Sequence, residues 1–303
     1  MKVGIIGRTH ILINATKELI KNGHDIGFIY TCKSEPFYKA NEDDYKQLAK
    51  EIGCPFFYGL DINSNLPILR KLNVDVCISI NWLTVLKNEF LNSFKYGVLN
   101  AHPGDLPRYK GNACPNWAIL NFEEKIGVTI HRMTEELDSG PYIIKDFFFI
   151  NEQTYIEDIY NWLELIVPQL FVKCLDVLKS SNFIDQDILV STLRTYPRKP
   201  EDSRIKWNEK TRNIMALIRA SSYPFEGAFC FLNGVKICIF KARPYFPNFM
   251  FSAIPGQVCF ALNGNPVIST CDGMIEIEDC IQFGYDNTNT KKNILSSLRN
   301  RLT

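Results

Sequence analysis

Asn100-Ala101-His102-Pro103-Gly104-Asp105-Leu106-Pro107-Arg108-Tyr109-Lys110-Gly111 is the stretch on which the reading of this chain turns. An apolar run at 96–99 leads into it. Side chains on a strand alternate with a period of two, so Asn100 and His102 project to one side if the strand continues that far. Pro103, Gly104 and Pro107 then break the strand. A hydrogen-bond donor and a titratable base therefore stand together at the exposed end of a core strand, where open α/β sheets carry their sites.

Outward from this stretch, strand and helix patterns alternate. Residues 2–7 are a β-branched run, followed by a helical pattern to 21 that Asn22-Gly23 stops, and an apolar strand at 25–30. A helix at 43–52 is stopped by Gly53, with a short strand at 55–58, a short helix at 63–72 and a strongly β-like run at 74–80. A helix at 112–121 and a strand at 126–133 follow the central loop. In the latter strand Val128 and Ile130 alternate with Thr129 and His131. The expectation is an α/β domain over residues 1–195, built on a doubly wound, mostly parallel, Rossmann-like sheet. Gly7 stands alone after the first strand, so no dinucleotide fingerprint is supported.

Past Gly140 the pattern changes. An aromatic strand covers 142–150, and 154–178 carries one long helical period with Pro168 inside it. The polar run 179–182 stops that helix, and the polar link 194–204, with Pro197 and Pro200, reads as the domain boundary. Residues 204–303 form a smaller β-rich domain: a helix at 208–221, then strands at 227–232, 235–242, 256–262, 266–270 and 274–279, and a polar or helical tail from 287. Asn233-Gly234 is a hairpin signal.

The bulk properties are those of an ordinary soluble globular protein: 303 residues, net charge +1, 46% hydrophobic and 22% charged. That charge gives no argument for a polyanionic partner. The 10 cysteines are scattered, with no C-x-x-C pair and no zinc spacing, so neither a metal site nor a disulfide framework is expected. No apolar run reaches the roughly 18–20 residues of a membrane span, and the first residues lack a signal-peptide pattern. A reducing, cytoplasmic setting is expected.

Three pieces in order carry a resemblance: Asn100-x-His102, then Leu106-Pro107-x-Tyr109-x-Gly111, then Asp138-Ser139-Gly140 beyond the strand Gly127-Val-Thr-Ile-His-Arg-Met133. Together they resemble the formyltetrahydrofolate-dependent formyltransferases over roughly residues 1–180. Where that family usually reads H-x-S-L-L-P, this chain has Gly104-Asp105 before Leu106-Pro107. Arg198-Lys199-Pro200-Glu201-Asp202, Ile205-Lys206-Trp207 and the segment 219–229 resemble the enzymes that formylate nucleotide-linked aminosugars. Methionyl-tRNA formyltransferases carry a basic, glycine-rich insertion where this chain has the acidic Asn41-Glu42-Asp43-Asp44, which repels phosphate backbones.

The resemblance implies N10-formyltetrahydrofolate as formyl donor and a dTDP- or UDP-linked aminosugar as acceptor, with no metal and no nucleic acid. Formyl transfer needs a base near neutral pKa and a donor aimed at an oxyanion. His102 fits the base, Asn100 the donor, and Asp138, 36 positions beyond His102, would orient the imidazole. Taken alone, His102 is as easily a solvated loop histidine, Asn100 a strand-end cap, and the Asp-Ser-Gly a turn. His131, inside a strand, reads as a core or edge residue. The folate pocket is expected along Trp82, Leu83, Met133, Glu136 and Leu137. The nucleotide sugar is expected against Arg8, Thr9, His10, Lys110, Arg198 and Arg219, with Tyr223 or Tyr245 as a stacking surface for the base. Methionyl-tRNA formylation stays open, because residues from 204 on hold 12 Lys/Arg against 7 Asp/Glu. So do formyltetrahydrofolate hydrolysis and a non-catalytic sugar-nucleotide module. The smaller domain can supply a homodimer interface or close a cleft.

Overall fold

A computed structural model describes residues 1–35, 38–180, 193–282 and 284–303. Of the expected helix stop at 179–182, residues 181 and 182 lie outside the described residues. The chain divides into two compact units. One comprises Met1–Cys114, Lys125–Phe149 and Tyr160–Tyr196; the other comprises Pro115–Glu124, Ile150–Ile159 and Pro197–Thr303.

The elements run β1 (Lys2–Gly7), α1 (His10–Lys21), β2 (Asp25–Thr31), α2 (Glu42–Ile52), β3 (Phe56–Tyr58), α3 (Leu66–Arg70), β4 (Val76–Ile80), α4 (Asn88–Leu91), β5 (Val98–His102), β6 (Lys110–Gly111), α5 (Cys114–Leu120), β7 (Lys125–Arg132), β8 (Tyr142–Phe149), α6 (Ile156–Lys179) and β9 (Arg194–Thr195). After a 3₁₀ turn (Pro200–Ser203) come α7 (Thr211–Ser221), β10 (Ala228–Leu232), β11 (Val235–Tyr245), β12 (Val258–Leu262), β13 (Asn265–Ser269), β14 (Met274–Gln282) and α8 (Asn287–Ile294).

In the first unit seven strands lie in the order β3-β2-β1-β4-β5-β7-β8. The pairs from β3 to β5 are parallel, while β7 is antiparallel to both β5 and β8. The fold is therefore α/β and doubly wound, with an antiparallel edge on a mostly parallel sheet. All five residues of β4 are buried, which a parallel strand covered on both faces requires. Strand order reverses between β1 and β4, so the segments following those two strands flank a topological switch point. Ile6, Phe28, Tyr30, Cys77, Phe90 and Val98 share a core cluster on which Trp82 and Met133 pack from its margin.

Three local differences from the sequence reading have plain causes. The helix expected at 63–72 is only Leu66–Arg70; Pro67 occupies its first turn and Asn73, at φ 49°, turns the chain beyond it. The helix expected from 112 starts at Cys114 because Ala113 is left-handed at φ 53°. The polar link begins with β9, which pairs in parallel with β6, two residues against two.

The second unit holds a five-stranded antiparallel sheet, ordered β10-β11-β14-β13-β12. Asn233 and Gly234, both at positive φ, form the two-residue loop that opposes Leu232 to Val235. Trp207, Ile218, Ile239, Ile277 and Ile294 are buried together in its core.

Candidate active site

β5 runs on through His102, so Asn100 and His102 share a face as the period-two reading expects. Both sit at the carboxyl end of that strand. β7 pairs Asn100 with His131 and His102 with Thr129. Directly opposed residues of an antiparallel pair project to the same side. The Thr129 hydroxyl donates to the Gly104 carbonyl at 2.7 Å and accepts from the Leu106 N–H at 3.3 Å, which fastens the loop to β7.

His102 is buried, and both its ring nitrogens face acceptors. Nε2 is 2.6 Å from the Tyr109 carbonyl oxygen, and Nδ1 is 3.5 Å from Asp138 Oδ2. Cys114 Sγ lies 3.7 Å from Nε2. Gly104 packs so tightly here that a Cβ would stand 2.4 Å from His102 Nε2 and from the Tyr109 oxygen. Asp138 is buried at φ 49°, a left-handed conformation that Asp tolerates better than most residues. Its Oδ2 accepts from the Gly111 N–H at 2.9 Å, and its Oδ1 is 3.7 Å from His131 Nε2. The turn carrying it rests on β7 through Gly140, where a Cβ would meet the Arg132 carbonyl oxygen at 1.9 Å.

The electrostatics follow from this crowding. Burial lowers His102, but Cys114, the Asp138 carboxylate and the Tyr109 carbonyl outweigh it and push the imidazole up to about 9. Burial, and then the charge of His102 beside it, presses His131 down to about 4. The one carboxylate lies within 4 Å of both rings, and charge on His102 disfavours charge on His131. Both ring nitrogens of His102 face oxygens, and with Cys114 beside Nε2 these neighbours favour the protonated ring.

The structure brings Asn100, His102 and Asp138 together, with Lys110 beside them. Lys110 Nζ donates to the Ser139 hydroxyl and is 3.7 Å from Glu136 Oε1. Trp82 is half-buried, donates Nε1–H to Thr84 Oγ1 at 2.9 Å and stands edge-on to Tyr30. Leu83 and Leu137 are exposed apolar side chains, and Glu136 is exposed. Arg8 turns inward: its guanidinium donates to the Asn81 and Lys33 carbonyls and to Glu35 Oε1 at 2.8 Å. Thr9 is buried at the start of α1, and its carbonyl accepts from the Tyr45 hydroxyl at 2.6 Å. His10 Nε2 is 2.7 Å from Glu164 Oε1.

Arg198 and Arg219 belong to the second unit and are spent within it. Arg198 donates to the Ser203 and Ser221 hydroxyls and the Asp202 carbonyl. Buried Arg219 donates Nη1–H to the Asn151 and Thr154 carbonyls at 2.9 and 3.0 Å. Tyr223 stacks on Phe240 and Tyr245 stands edge-on to Phe260. His131 is the neighbour that sequence reasoning passed over. Its signal was the polar alternation with Thr129 in an otherwise apolar strand.

An amide, a charged imidazole and a carboxylate at the carboxyl edge of a doubly wound sheet can steady negative charge on oxygen while moving a proton. The chain belongs to the formyl transferase family: the formyl transferase model matches residues 2–175 and the formyl transferase C-terminal domain model matches 198–298.

The chain is 33% identical over 221 residues to the bifunctional polymyxin resistance protein ArnA of Wigglesworthia glossinidia brevipalpis, covering 72% of this chain and 33% of ArnA. It thus spans about a third of that relative's length. It is 26% identical over 284 residues to a methionyl-tRNA formyltransferase of Thermodesulfovibrio yellowstonii, covering 91% of this chain and 90% of the other. In fold it is similar to the N-formyltransferase of Helicobacter canadensis in complex with folinic acid and dTDP-3-aminofucose, with a TM-score of 0.69 and 20% identity over 92% of this chain and 99% of that one. Among the described residues no helix is long and apolar enough to cross a membrane.

Proposed function

We propose that this protein moves a formyl group from N10-formyltetrahydrofolate to the amine of a dTDP- or UDP-linked aminosugar, with the chemistry in the first unit. The observation that carries the reading is the convergence of Asn100, His102 and Asp138, drawn from one strand end and a distant turn. The amine attacks the formyl carbon, and the Asn100 N–H and charged His102 steady the oxyanion. His102 releases its proton to the departing N10 and, now a base, takes one from the amine nitrogen. An amide and tetrahydrofolate result, and the imidazolium is restored. Asp138 keeps the ring oriented throughout. The folate lies along Trp82, Leu83, Met133, Glu136 and Leu137, and Lys110 meets the acceptor.

Purified protein with the donor folate and a panel of dTDP- and UDP-linked 3-amino and 4-amino sugars tests this. An acceptor gaining one formyl group is expected, read by mass spectrometry. No formylation across the panel refutes it, and folate release without any acceptor favours hydrolysis instead.

The match to methionyl-tRNA formyltransferases along nearly the whole chain supports a second reading, formylation of a charged tRNA. Against it stands the N-terminus of α2, where exposed Asp43 and Asp44 face solvent. A gel shift with initiator tRNA separates the two, since phosphate-driven binding is strong and salt-sensitive.

A further inference from the structure

His131 is 2% exposed and directly opposite Asn100. Its Nδ1 lies 2.9 Å from the Arg132 carbonyl oxygen. A carbonyl only accepts, so the hydrogen sits on Nδ1. His102 presents both ring nitrogens to acceptors and takes the single positive charge that Asp138 can balance. A second buried cation beside it, with Lys110 also near, would be uncompensated. His131 is therefore neutral, and its Nε2 is a bare lone pair. That lone pair is 3.3 Å from Asn100 Nδ2.

A bare ring nitrogen accepts and cannot donate. It selects the NH2 side of the Asn100 amide, because the flipped amide would set oxygen against nitrogen lone pair. We infer that His131 is a positioning residue: fixed by the Arg132 carbonyl, it holds the Asn100 amide so that one N–H is spent on Nε2 and the second is left for the oxyanion. An amide free to flip would offer its own oxygen to a developing negative charge for part of the time. The inference rests on the oxyanion role proposed for Asn100.

The test measures kcat and KM for formyl transfer in His131→Leu, His131→Gln, Asn100→Ala and the Asn100→Ala/His131→Leu double variant. His131→Leu is expected to lower kcat roughly 10- to 100-fold with little change in acceptor KM. His131→Gln, which carries an acceptor oxygen to the place of Nε2, is expected to recover most of it. In the Asn100→Ala background the Leu change should cost no further activity. Multiplying effects in the double variant, or a rise in KM alone, overturn the positioning role. Wild-type kcat in Asn100→Ala would instead overturn the role of Asn100 itself. Should the Leu variant not fold, His131→Gln is compared with His131→Asn, whose shorter amide does not reach the place of Nε2; equal kcat in the two overturns the inference.

Discussion

Gly104→Ala is a one-atom probe of how His102 is held. The added Cβ would stand 2.4 Å from both His102 Nε2 and the Tyr109 carbonyl oxygen, about 1 Å inside ordinary van der Waals contact. The backbone carbonyl is anchored by its loop, so the imidazole is the group that moves. Its 2.6 Å bond to Tyr109 is then lost. A bond involving a charged group contributes about 1.5–3 kcal/mol, and overpacking costs a similar amount. A destabilisation of about 2 kcal/mol corresponds to a fall in Tm of several degrees. The catalytic effect should be larger in proportion, because a displacement of about 1 Å can cost about 100-fold in rate. Gly104→Ser, which brings in the residue usual in the family, carries the same Cβ and should behave alike. Differential scanning calorimetry and steady-state formyl transfer read the two effects. Wild-type Tm together with wild-type kcat in Gly104→Ala would refute the close packing of His102 against Tyr109.

Asp138→Asn removes the carboxylate beside His102, so the imidazole should titrate below about 9, followed by NMR, and kcat should drop about 100-fold or more; an unchanged titration would show that the carboxylate does not act on the ring. Because His102 binds its proton more tightly folded, at about 9, than unfolded, at 6.5, its stabilisation is complete below pH 6.5 and fades as pH rises through 9. Denaturant melts of wild type and His102→Ala should therefore converge over that range by up to about 3 kcal/mol, and parallel curves would contradict the raised pKa. Arg219→Ala strips donors from the Asn151 carbonyl and the buried Thr154 carbonyl and should cost about 2 kcal/mol with acceptor KM little changed. A large rise in KM at unchanged Tm would mean that Arg219 serves the substrate.

Much of the fold is legible because its strands are what the hydrophobic effect demands of a covered sheet. The strongly β-like run at 74–80, apolar from Val76 to Ile80 but for Ser79, suits a strand covered on both faces, and Asn233-Gly234 sets the register of its hairpin. The two-residue pairing of β6 with β9 is invisible in sequence, since its partners are more than 80 positions apart and neither has a pattern of its own. Asn100 and His102 are readable from the period of a strand, whereas Asp138 needs the fold to bring it back. His131 reads as a core or edge residue because a buried polar alternation looks the same whether it lines a site or not. The arginines show a different limit. Nothing in the sequence pattern around Arg8, Arg198 or Arg219 says which carbonyl, hydroxyl and carboxylate oxygens each guanidinium meets, because the fold brings most of those acceptors to it.

Single-turnover formyl transfer to a nucleotide-linked aminosugar, wild type against His102→Gln, with the affinity of both ligands measured in parallel, addresses the central claim most directly. The account predicts a rate loss of about 1,000-fold with dissociation constants unchanged, because the imidazole carries the proton and steadies the oxyanion without being what holds the ligands. A variant that still turns over at near the wild-type rate, or one that loses rate only by losing affinity, would contradict it.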